Sequence, residues 1–60
     1  MDKATRAALE AVRDRYLDLT VGEVMQLPEL AYHLVCVALA EGRPCVAVDL
    51  ATAILAEVES

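Results

Sequence analysis

The sequence predicts an all-α domain, three main helices plus a short turn helix, built as a packed or intertwined homodimer. Three observations carry this expectation. Apolar residues recur every three or four positions through three separate stretches of the chain. Residues that start or stop helices (Thr20, Pro28, Gly42 and Asp49) stand between or at the ends of those stretches. The middle stretch, Leu30 to Leu39, is apolar round most of its circumference, and helices of that kind are buried. With 60 residues the chain is near the lower limit for folding alone, so residues 1–60 read as one domain that relies on a partner for cover.

The first helix is expected over about 2–19. Leu9, Val12, Tyr16 and Leu19, with Ala8 beside them, form one apolar stripe, and Lys3, Arg6, Glu10, Arg13, Asp14 and Asp18 occupy the other face. Asp2–Arg6 and Glu10–Arg13 are spaced to pair across a turn, whereas Glu10–Asp14 and Asp14–Asp18 repel, so packing rather than surface charge stabilises this helix. Thr20-Val21-Gly22-Glu23 is a capping-box pattern that opens a short helical turn over 21–27, with Val24, Met25 and Leu27 directed to the core. Pro28 suits the first turn of the main helix, 28–41, and Glu29 complements its dipole. Gly42 follows at the position where helices end, with Pro44 just beyond. Residues 43–48 read either as an extended connector or as the first turn of the last helix. Asp49 is a good N-cap, so that helix is placed at 49–59, with Leu50, Ala51, Ile54, Leu55 and Val58 as its stripe. A β-hairpin pairing 33–40 with 45–50 is the competing arrangement, and the alanines and missing polar alternation count against it.

The formal charge of −5 makes nucleic acid or an anionic membrane a poor main partner. That charge is uneven: residues 1–15 carry a net +1 and residues 16–60 a net −6. No charged n-region precedes an apolar h-region, and the charge-free run from Leu30 to Ala40 is too short to span a bilayer, so a cytoplasmic location is expected.

Candidate chemistry is sparse. Glu29, His33 and Cys36 lie within two helical turns, a spacing that metal ligands use, but one chain offers too few ligands, and no metal or cofactor is expected. A Cys–His nucleophile lacks an orienting acid and an oxyanion site, so no enzyme is expected. Cys36 and Cys45 are offset along an antiparallel helix pair by more than a disulfide allows, which predicts free thiols. Leu30, Leu34, Val35, Val37, Leu39, Leu50, Ile54, Leu55 and Val58 are the candidate self-association residues. Small residues (Ala31, Ala38, Ala51 and Ala53) would let helices of two chains approach. Tyr16 and Tyr32, the only aromatics, are candidate partner contacts because a tyrosine buries its ring while its hydroxyl stays wet. Arg6 and Arg13, with Lys3, complete the candidate contact set.

Leu30 to Leu55, with its apolar helix, Gly42-Arg43-Pro44 turn, short extended piece and Asp49-Leu50-Ala51 helix start, resembles the helical lid segment of AAA+ replication-initiator ATPases. The resemblance implies a helical hairpin. It brings no nucleotide chemistry, since the sequence has no Gly-rich phosphate loop. The expected function is therefore a small non-enzymatic regulator, adaptor or inhibitor that binds another protein as a homo-oligomer. The alternative is a DNA-associated transcription or replication regulator that uses the basic face of the first helix.

Overall fold

A computed structural model describes residues 1–59. Its elements are α1 (Lys3–Arg15), a 3-10 turn (Tyr16–Asp18), α2 (Val21–Met25), α3 (Glu29–Glu41) and α4 (Pro44–Glu59). The fold is all-helical, and the β-hairpin alternative finds no strand among the described residues.

Each boundary has a local cause. Asp2 stands in extended geometry as the N-cap of α1. The α-helix ends at Arg15 rather than continuing to 19, because Arg15 leaves the helical region at φ −133°, ψ 26°. The chain then tightens, with the Leu19 amide donating to the Tyr16 carbonyl at 3.3 Å. The stripe of Tyr16 and Leu19 is thus kept by a 3-10 turn. The capping box forms as expected: the Glu23 amide donates to Thr20 Oγ1 at 3.1 Å, and Glu23 Oε1 accepts from the Thr20 amide at 3.2 Å. Pro28 caps α3 from outside, and its carbonyl accepts from the Tyr32 amide. Gly42, at φ 66°, takes the left-handed position that ends α3. Its amide donates to Leu39, and the Arg43 amide reaches back to Ala38 at 3.0 Å.

The last helix begins at Pro44, not at Asp49. Proline at a first helical position gives up only an N–H that has no partner there. Ala47 is fully buried, one turn before Ala51 and two before Leu55. That four-residue register runs the helix straight through 45–48. Asp49 lies mid-helix, exposed to solvent.

The core is drawn from three helices: Ala8, Leu9 and Val12 of α1; Ala31, Leu34, Val35 and Ala38 of α3; Ala47, Ala51 and Leu55 of α4. α4 packs against both α1 and α3, and α2 packs on α3. Ala47 and Ala51 lack bulk, so both neighbours of α4 come close to its backbone. Among the described residues no polar or charged side chain is buried. The radius of gyration is 10.4 Å, matching the roughly 10 Å expected of a compact chain this long. Within the chain α1 covers one side of the α3–α4 pair, the side its single apolar stripe was expected to cover.

Candidate functional site

Beside that core lies an apolar groove of about 350 Å³ between α2 and α3. It is built from the 3-10 turn outward. Tyr16 and Leu19, both half-buried, are carried to it by the tightened end of α1. The capping box then sets the direction of α2, so that Val24 packs on the core while Val21 and Met25, one turn apart, line the opening. α3 supplies Val35 at the base, and Tyr32, Cys36 and Leu39 along the other side.

The lips of this groove are unusually apolar for a surface. Val21 is 78% exposed, Met25 74% and Leu39 68%. Fully burying side chains of this size is worth about 1.5–3 kcal/mol each, so covering the three returns several kcal/mol before ordering costs. On the other side of α2, Arg15 and Glu23 face each other at 3.7 Å beside Thr20 and Gly22. The hydrogen bonds from the Thr20 amide and hydroxyl, more than that cation, hold the Glu23 carboxyl below its ordinary range.

The expected site residues fall into three groups. Leu34, Val35 and Leu55 are buried within the chain, where they pack the core. Val37, Ile54 and Val58 are half-buried. Leu30, Leu39 and Leu50 are exposed. Of the expected partner contacts, Tyr16 and Tyr32 meet at the groove, whereas Arg6 and Arg13 belong to α1 and do not line it. Arg13 does not reach Glu10; it grips its neighbour Asp14 through two hydrogen bonds of 2.7 and 2.9 Å. That contact raises the arginine and lowers the aspartate from their ordinary pKa values.

Met25 corrects the expected core filler: it stands in solvent, while Val24 and Leu27 pack against the core. The sequence signal was present in the i, i+4 pair Val21 and Met25 flanking Val24, which makes a five-residue helix apolar on two sides. Cys36 and Cys45 are free thiols, half-buried and exposed respectively. Among the described residues, no three His, Cys, Asp or Glu side chains converge as metal ligands would. Among the described residues no helix is long and apolar enough to cross a membrane.

No family model matches the chain, and neither a curated protein nor a solved structure matches it. The likeness of residues 30–55 to an AAA+ lid thus stands on its hairpin alone, and its short extended piece is helical here.

Proposed function

We propose that this chain is a small non-enzymatic protein-interaction module, a regulator, adaptor or inhibitor, whose recognition surface is the groove between α2 and α3. The observation that carries this reading is the exposure of Val21, Met25 and Leu39 around a groove whose supporting core is already closed. Helix-in-groove recognition uses such a surface, with partner anchors one turn apart seated between two walls. Tyr32 adds an aromatic ring at the lip, the residue type that most often concentrates binding energy. Two unpaired thiols fit work in the reducing cytoplasm. Comparative capture from the native cell tests the reading. A protein retained by the wild type and by Leu30→Asp, but lost with Met25→Asp and Leu39→Asp, supports it; retention indifferent to both groove variants contradicts it.

A second surface favours a homodimer. Leu30 and Leu50 are 38% and 41% exposed, and half-buried Val37 and Ile54 join them on α3 and α4. Self-association through this strip would leave the groove open. Sedimentation equilibrium tests it: dimerisation abolished by Leu50→Asp is the expected result, and a monomer at all concentrations contradicts it.

A further inference from the structure

We propose that the strip of Leu30, Val37, Leu50 and Ile54 takes a second copy of this chain turned end for end, with Arg43 of each copy beside Glu29 of the other. This rests on the strip being a self-association surface and adds the orientation of the pair and the charges that select it. α3 ends at Glu41 and α4 begins at Pro44, so the two helices run antiparallel from a tight turn. That turn sets Leu30 alongside Ile54 and Val37 alongside Leu50, as two apolar rungs. Two chains of net charge −5 need a contact area free of charge, and these four side chains supply one.

The rungs alone do not choose between the two symmetric arrangements. Laid parallel, α3 covers the partner's α4 and leucine meets isoleucine. Turned end for end, α3 covers the partner's α3, and Leu30 meets the partner's Val37. Charge separates the two. At one end of the strip, Glu29 shares a recess with Leu30 and His33, and Glu57 follows Leu50 by two turns on the same line of α4. At the other end stand Glu41 and Arg43, all exposed. Lys3, Arg6, Arg13 and Arg15 belong to α1, so Arg43 is the one base on the α3–α4 hairpin. A parallel pair brings the two acidic ends together. The end-for-end pair sets each acidic end against the end that carries the base, and a two-fold axis makes that match twice. With Leu30 over the partner's Val37, Arg43 and the partner's Glu29 are offset by about 7 Å along the axis, a gap that an extended arginine side chain spans.

Sedimentation equilibrium at neutral pH reads the dimer Kd of the wild type, Glu29→Lys, Arg43→Glu and the double variant. Both positions are exposed, so the variants keep the core. Each substitution enters the dimer twice, and each single variant should weaken it about fivefold or more. Glu29→Lys lowers the net negative charge, so general repulsion alone would tighten the dimer; loosening therefore reports the pair. The double variant restores the pair with its signs exchanged at the wild-type net charge of −5, and should recover most of the loss. Glu29→Lys that tightens the dimer or leaves it unchanged, or a double variant no tighter than the single ones, overturns the orientation and leaves the dimer standing. A wild type that is monomeric at all concentrations, or a dimer that Leu50→Asp leaves intact, overturns both.

Discussion

Truncating Leu55 to alanine should cost about 3–4 kcal/mol of folding stability, while the same truncation at Leu39 should cost less than about 0.5 kcal/mol. The contrast follows from position alone. Leu55 is 1% exposed and is the one large side chain on the fully buried line of α4, whose other members are Ala47 and Ala51. Alanine neighbours have no side-chain length with which to fill the vacated space, which places the cost well inside the range of about 2–5 kcal/mol for buried leucines. A domain of this size has on the order of 3–9 kcal/mol in total, so Leu55→Ala approaches the limit of folding. Leu39 has most of its surface in water, and its removal deletes little that folding buried. Urea titration followed by far-UV circular dichroism gives both values, and it should be run at two protein concentrations about a hundredfold apart. Leu39→Ala as costly as Leu55→Ala, with midpoints that climb with concentration, would refute the reasoning. Leu39 would then be buried between chains, and folding would require the second copy.

Three further outcomes are expected. Gly42→Ala should destabilise by about 1 kcal/mol through its backbone alone, since φ is 66° and nothing lies within 4 Å of an added Cβ. Gly22→Ala should do the opposite, by about 0.5–1 kcal/mol, because its Cβ would meet only Thr20 Oγ1 at an ordinary 3.9 Å within a helix; urea midpoints check both. The Glu23 carboxyl is lowered in the folded chain, so its contribution is fully present above the ordinary value of 4.5 and is lost as pH falls through the lowered folded value. Carbon-detected NMR titration should show that pKa moving up in Thr20→Ala, which keeps the amide donor and removes the hydroxyl, and an unmoved value would mean that the Thr20 hydroxyl does not help to hold the charge.

The sequence made some of this fold legible because some of its chemistry is local. Thr20 and Glu23 meet three residues apart, and Gly42 ends α3 by its own φ, so both could be read without knowing what packs where. The start of α4 could not. Asp49 and Pro44 are both helix openers five residues apart, and the burial of Ala47 against other elements selects the proline. Leu34 and Leu39 posed the same difficulty: on a helix apolar nearly all round, composition does not say which side α1 and α4 will cover. They lie about 140° apart on α3, and tertiary packing buries one and exposes the other. The groove was visible only in pieces, since Tyr16 and Tyr32 are brought to it by the turn that α2 makes between them.

Amide NMR of the ¹⁵N-labelled protein, titrated with a designed amphipathic helical peptide that carries leucines along one face, tests the groove as recognition surface most directly. The shifts should concentrate at Leu19, Val24, Met25, Tyr32, Cys36 and Leu39, with Lys3, Arg6 and Glu10 on α1 unmoved. Shifts confined to α1, or to the strip of Leu30 and Leu50, with the groove amides unchanged, would contradict it.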